Sequence, residues 1–215
     1  MISPEALRYF NENAKPLSDQ YNALDRKAVH AELLAVLLAG KPLHMLDIGA
    51  GSGADAALFA SMGHQVTAAE PARKLLTLAQ ETFPDSHIHW CDSALPEMNG
   101  VEGHFDAVYA IGTLQYLDNQ NRAVALDKMA SFLAPGGFLE VQYPVPPSRE
   151  YQFHIGEGEI QALCDRFNAC AGTGDGLEIL HQKHTPDLMK RKALNGQDLY
   201  FNITILRRKN PGHAG

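Results

Sequence analysis

The chain has 215 residues, 45% of them hydrophobic and 20% charged, which is enough apolar mass for a packed core and excludes a disordered or fibrous protein. A formal net charge of -7 repels polyanions, so a broad nucleic-acid footprint would need basic residues gathered on one face. Cys91, Cys164 and Cys170 are odd in number and lack CxxC spacing, which fits neither a disulfide framework nor a zinc site and points to a reducing cytoplasm.

The amino terminus, MISPEALRYFNENAK, lacks the basic start and apolar stretch of a signal peptide. The greasiest run, Leu33 to Ala39, is far shorter than the roughly 20 residues that span a bilayer, so no membrane segment is expected. Residues 1–25 mix Pro, Asn, Asp and Tyr with short helical stretches. From Arg26 one helix is predicted, with Val29, Leu33, Val36 and Leu37 on a common face and Gly40 and Pro42 as its stop. Next come a strand over 43–48, the cluster Gly49-Ala50-Gly51-Ser52-Gly53, and a helix from about Ala54 to Gly63. The unit repeats with a strand over 64–69 and a helix that has Pro71 in its first turn and ends at Pro84.

Strands are further predicted over 87–91, 105–111 and 138–143. A helical turn runs through Leu117, and a helix carrying Leu126, Met129, Ala130 and Leu133 closes at Pro135-Gly136-Gly137. Strands alternating with helices imply a doubly wound, Rossmann-like α/β sheet with helices on both faces. After an irregular Pro-rich stretch and a helix over about 159–170, two strand-like runs predict an antiparallel pair at the carboxyl-terminal sheet edge. That makes seven strands in one domain, 1–215, with a helical lid segment over 1–41, a sheet core over 43–207 and a frayed tail over 208–215.

In such sheets the ligand sits beyond the carboxyl ends of the strands, where strand order reverses. Four places qualify: Asp47 with the glycine turn, Glu70, Cys91-Asp92-Ser93, and Ala110-Ile111. The turn lets backbone approach a ligand and aims a helix amino terminus at an anionic group. It also satisfies the looser dinucleotide pattern GxGxxG/A, so by itself it does not choose a cofactor. Asp47, two residues before the first glycine, would repel a pyrophosphate but suits the ammonium of S-adenosylmethionine.

LDIGAGSGADAALFASMGHQVTAAEPA is similar to the first two cofactor motifs of class I S-adenosylmethionine-dependent methyltransferases. WCDSALP resembles their adenine loop, and FDAVYAIGTLQYL with LAPGGFLEVQYP resembles their fourth and fifth strands. The likeness runs in the right order over residues 43–143. It implies that Asp47, Gly49 and Gly51 hold the methionine part, that Glu70 accepts from both ribose hydroxyls and Asp92 from the adenine amino group, and that Ile111 lies near the sulfonium. Ala50, Gly53, Pro71 and Ser93 would complete the cofactor site, with Tyr21 as a lid contact.

The chain departs from many small-molecule members in carrying Tyr116 where they carry His, and it lacks an NPPY-type motif after strand four, so methylation of base or glutamine amides loses support. Methyl transfer needs mainly an acceptor held in line with the methyl; Tyr116 and His154 are the candidates for any catalytic role, and the rest of the catalytic set is unassigned. Tyr143 is a further pocket candidate, and Tyr9, Phe10 and Tyr21 could form a lid. His87 and His89 share a strand face but have no third ligand, so no metal is expected. The expected activity is methyl transfer to an acceptor the sequence does not identify, a small molecule ahead of a protein, with nucleic acid disfavoured. The alternative is a regulatory or scaffold protein that binds S-adenosylmethionine without turnover.

Overall fold

The computed structural model describes residues 2–37, 41–156, 158–171 and 175–209. Gly40, the expected helix stop, and residues 210–215 of the expected tail lie outside them. Eight helices and seven strands are described. The helices are α1 (Pro4–Glu12), α2 (Ala14–Asn22), α3 (Arg26–Val29), α4 (Ala31–Val36), α5 (Ala54–Ser61), α6 (Arg73–Thr82), α7 (Asn119–Phe132) and α8 (Glu159–Cys170). The strands are β1 (His44–Ile48), β2 (Gln65–Ala69), β3 (Ile88–Cys91), β4 (Phe105–Ile111), β5 (Leu133–Val145), β6 (Leu177–Pro186) and β7 (Tyr200–Arg208).

The strands form one sheet in the order β3-β2-β1-β4-β5-β7-β6. Pairs among β1 to β5 are parallel, whereas β7 runs antiparallel to both β5 and β6. Strand order therefore reverses between β1 and β4, the expected position for a ligand crevice. One apolar layer packs Leu46, Ile48, Val108, Leu139 and Val141 against α7 and α8. The opposite layer packs Met45, Ala107, Tyr109, Ile203 and Ile205 against α4 and α5. A third cluster, built on Ala14, Leu17, Ala72 and Leu75, seats α1 and α2 on α6.

Local chemistry sets the helix starts. Ser3 caps α1 by accepting from the Ala6 N–H at 3.1 Å, with Pro4 at the first turn, and Asp118 caps α7 by accepting from Asn121 N–H at 2.8 Å. Pro71 lies just before α6 instead of in its first turn, because Ala72 is the cap residue. The single helix predicted from Arg26 is broken into α3 and α4 at His30, which leaves the helical region (φ -99°, ψ 20°) and is completely buried. Apolar periodicity cannot show such a break, since its cause is a set of buried charged partners described below.

β5 starts earlier than predicted and takes in Pro135-Gly136-Gly137, with a register shift between the Phe105–Leu133 and Ala107–Phe138 pairs that absorbs those residues. The expected antiparallel pair lies at the carboxyl-terminal sheet edge, with β6 outermost and β7 between β5 and β6, where Thr204, Ile205 and Leu206 are all buried. Nor is Arg208 the start of a tail. It pairs with Asp175 at 2.9 Å and donates to the Leu133 carbonyl at 2.6 Å. Among the described residues, no helix is long and apolar enough to cross a membrane.

Candidate functional site

A cleft with about 220 Å³ of interior volume opens at the carboxyl ends of β1, β2 and β4, where the strand order reverses. Its floor is the β1–α5 turn. Gly49 and Ala50 donate their N–H groups to the Ala69 carbonyl at 2.8 and 3.0 Å, which binds the turn to the end of β2. Gly49 has φ +76°, and a Cβ there would lie 2.5 Å from Thr113 Oγ1, a group that in turn donates to the Ile48 carbonyl at 3.0 Å. Gly51 has φ +56° and faces Tyr21, whose ring a Cβ would meet at 3.6 Å. The turn thus needs glycine for backbone angle and for close approach at the cleft surface.

Glu70 links this turn to the next loop. Its Oε2 accepts from Gly51 N–H at 2.8 Å and its Oε1 from Ala72 N–H at 2.7 Å. It is buried at the cleft wall beside Pro71. Burial lifts its carboxyl to about 7, against the two backbone donors, and the Asp92 charge adds to the rise. Each oxygen keeps a lone pair for a further donor. Ser93 lines the cleft with its buried Oγ unpartnered among the described residues.

Tyr21, Gly49, Ala50, Gly51, Glu70, Pro71, Ser93, Ile111 and Tyr116 all line the cleft, as does Ser52, which the sequence reading passed over. Asp47 is buried beneath the turn and does not line it. Gly53 packs on Trp90 and caps α5 instead of facing the cleft. Asp92 is exposed at the rim and pairs with Arg73 at 2.9 Å, outside the lining. His154 is exposed and away from the cleft, because the loop is anchored through its carbonyl, which accepts from Arg122 at 3.1 Å. Tyr143 belongs to the core, its hydroxyl accepting from Asn202 Nδ2 at 3.4 Å.

Beneath the turn lies a charge cluster that the sequence reading missed. His30, as the imidazolium, donates from Nδ1 to Glu140 Oε2 at 2.5 Å, and its Nε2 makes an ion-pair contact with Asp55 Oδ1 at 3.0 Å without hydrogen-bond alignment. Burial disfavours that charge, but Glu140 and Asp55 outweigh it and lift His30 to about 10. Arg26 pairs with Asp55 Oδ1 at 3.2 Å and donates to the Tyr21 carbonyl at 2.5 Å, so the lid segment is tied to the cluster. Burial, reinforced by Asp55, holds the Asp47 carboxyl well above the usual carboxylate range. The signal for this cluster was Glu140 in the apolar run GFLEVQYP, since a charge inside a central strand demands a buried partner.

The far end of the cleft is aromatic. Phe10 meets Tyr116 edge-on at 5.2 Å, Tyr116 stacks on Tyr151 at 6.1 Å, and Tyr151 lies 5.4 Å from Tyr9. The Tyr116 hydroxyl accepts from Gln152 Nε2 at 3.1 Å. Burial raises the Tyr116 phenol above its ordinary value, which favours its protonated form. This end is assembled from α1, the turn after β4 and the loop after β5, the segments that sheet periodicity left unexplained.

A family model described as a methyltransferase domain matches residues 45–137, the span from β1 into β5 that carries the glycine turn, Glu70, Ser93 and Ile111. Over that span, which is under half of the chain, the sequence is similar to a methyltransferase domain. It is 27% identical over 159 residues to trans-aconitate 2-methyltransferase of Delftia acidovorans, covering 73% of this chain and 53% of that protein. The first curated relatives are matched over between a quarter and just over half of their own length. Among solved structures, the fold resembles magnesium protoporphyrin IX methyltransferase of Synechocystis PCC 6803 with bound S-adenosylmethionine (TM-score 0.63, 16% identity, covering 93% of this chain and 84% of that one). It also resembles 1,6-didemethyltoxoflavin-N1-methyltransferase of Burkholderia thailandensis with its substrate and S-adenosylhomocysteine bound (TM-score 0.62, 19% identity, covering 96% and 86%). S-adenosylmethionine is the cofactor that methyltransferases of this kind use, and the donor set fits it: a glycine turn open at Gly51, a buried carboxylate with spare lone pairs, and a Ser93 hydroxyl unpartnered among the described residues.

Proposed function

We propose that the chain transfers a methyl group from S-adenosylmethionine to a small-molecule acceptor. Glu70 carries this reading, being the buried acceptor that joins the glycine turn to the cleft wall and is suited to a ribose diol. In this reading Gly49, Ala50 and Gly51 hold the methionine part by backbone, with Asp47 buried beneath them as a support for the turn, Ser93 and Pro71 flank the adenosine, and Ile111 supplies backbone near the sulfonium. Asp92 would act only from the rim. The proteins with the same fold or with sequence similarity act on aconitate, a porphyrin and a toxoflavin precursor, which supports a small-molecule acceptor.

The bound cofactor supplies an activated methyl on a sulfonium leaving group. Such a sulfonium would release its methyl to an acceptor lone pair held in line, keeping the carbon–sulfur electron pair, and any acceptor proton would leave to solvent or to a basic atom of the acceptor. The protein's part is to position and to exclude water. The glycine turn and Glu70 fix one reactant, the aromatic end orients the other, and α1 and α2 act as a lid over a single methyltransferase domain, while α4, expected to belong to the lid, packs into the core instead. Arg26, holding the Tyr21 carbonyl, keeps that lid's aromatic ring over Gly51.

The test is a thermal-shift panel. S-adenosylhomocysteine should raise the melting temperature, while NAD and NADP should not, because only ligands of the native state stabilise it. Stabilisation by NAD alone would overturn the proposal. An acceptor screen that reads out S-adenosylhomocysteine would then separate turnover from binding alone.

A further inference from the structure

The cations lining the cleft come with carboxylates. Arg26 pairs with Asp55, Lys183 with Glu32 at 2.6 Å, and Arg191 forms a two-point contact with Asp187 at 2.9 and 3.0 Å. Arg149, at the rim of the aromatic end, is different. Among the described residues no carboxylate lies within ion-pair distance of it. Its guanidinium instead sits 4.4 Å from the centre of the Tyr9 ring, and its charge acts on the phenols of Tyr21, Tyr116 and Tyr151. It is half-buried, so it keeps only part of its hydration, and a cation in that position gains from any anion that reaches it.

The Tyr151 hydroxyl stands beside it, buried and without an aligned hydrogen-bond partner among the described residues; burial pushes its phenol up to about 12 against the charge and loose hydrogen bond of Arg149, so its proton stays free to donate. A guanidinium and a phenolic O–H side by side, with no anion supplied by the protein, are complementary to a carboxylate. The stacked Tyr116 and Tyr151 rings and the edge-on Phe10 offer a flat apolar wall next to it.

Resting on the methyltransferase reading above, we infer that the acceptor is a small organic acid with a flat, unsaturated or aromatic body, whose carboxylate is received by Arg149 and the Tyr151 hydroxyl. Arg149 then determines specificity. It selects the charge of the acceptor and fixes which end enters the cleft, while the cofactor half is untouched. The cation–π contact with Tyr9 on α1 makes the same residue a link between the lid and the acceptor loop, so acceptor binding and lid closure share one group.

The experiment uses the full chain saturated with S-adenosylhomocysteine and measures binding by calorimetry of benzoate, cinnamate and fumarate, each beside its neutral amide. At least one acid should bind about tenfold or more tighter than its amide, the yield of one charge-assisted contact. Arg149→Met, which keeps an apolar stem over Tyr9, should erase that difference with S-adenosylhomocysteine affinity unchanged, and Tyr151→Phe should reduce it. Arg149→Lys should restore part of it, since the charge returns without the planar fork. Acids that bind no better than amides, no acid binding at millimolar concentration, or a preference that survives Arg149→Met would each overturn the inference. Failure to bind S-adenosylhomocysteine at all would instead overturn the functional reading beneath it.

Discussion

On the proposed reading, Glu70 makes cofactor affinity a titration. Its carboxyl stands at about 7 in the ligand-free fold, raised by burial from 4.5, and only the carboxylate can accept from two ribose hydroxyls while holding Gly51 and Ala72. Below pH 7 a proton must therefore leave before the cofactor binds. The dissociation constant of S-adenosylhomocysteine should be flat above pH 8 and rise about tenfold by pH 6, approaching one decade per pH unit. Calorimetry between pH 5.5 and 8 would follow it, compared at each pH with Glu70→Gln so that titration of the ligand's amino group cancels. Glu70→Gln should abolish the slope and weaken binding at pH 8 by at least tenfold, since charged hydrogen bonds contribute about 1.5–3 kcal/mol each. The stability of the free protein should move the opposite way. A native value above the unfolded one means the fold takes up the proton first, so stability rises as pH falls from about 7 towards 4.5, by at most about 1.4 kcal/mol per unit. A pH-independent dissociation constant, or tighter binding in acid, would refute this account of Glu70.

Replacing His30 by Ala should destabilise the protein by about 3–5 kcal/mol, because Asp55 and Glu140 would be left buried without their shared partner; chemical denaturation would measure it. In the wild type that stabilisation is complete below pH 6.5 and is lost as pH rises through about 10, so denaturation midpoints should fall on the alkaline side, a trend absent from His30→Ala. Arg122→Met should cost about 3 kcal/mol, or roughly 6–12 °C in melting temperature, since the fully buried guanidinium joins Glu159, the Leu117 and His154 carbonyls and Asn119. Acceptor KM should rise with it, because the clamped loop carries Arg149 and Gln152. Removing residues 2–20 should spare the sheet and lower turnover more than cofactor affinity, as α1 supplies Tyr9 and Phe10 to the acceptor end; full turnover of the truncated protein would reduce α1 to an appendage.

The parallel half of the sheet and its glycine turn were legible in sequence because local rules govern them: apolar runs make buried parallel strands, and each helix start is a turn with its own chemistry. Glu70 was legible for the same reason, as an acid at a strand end. A strand-end position does not reveal whether a side chain turns into the cleft or, as with Asp92, to an arginine at the rim. His30 was hidden by its neighbours, since Val29 and Leu33 continue a helical stripe across it while its partners come from residues 55 and 140. Arg149 carries no local signal at all. Its environment is assembled from α1, the turn after β4 and its own loop, and only tertiary structure brings these together.

The position of β7 has a consequence for how the chain is made. β5 is a 13-residue strand, and one of its two sides is covered only by residues 200–208, which follow it by more than fifty positions. Until that stretch emerges and folds back, a nascent chain carries a long open edge beside Val141 and Tyr143, with the bonding groups of an entire ladder unpaired. The interval between synthesis of β5 and arrival of β7 is thus the period in which the protein is most exposed to pairing with a neighbour. A message truncated inside it yields a sticky product, whereas one truncated inside β1 to β4 never builds that edge.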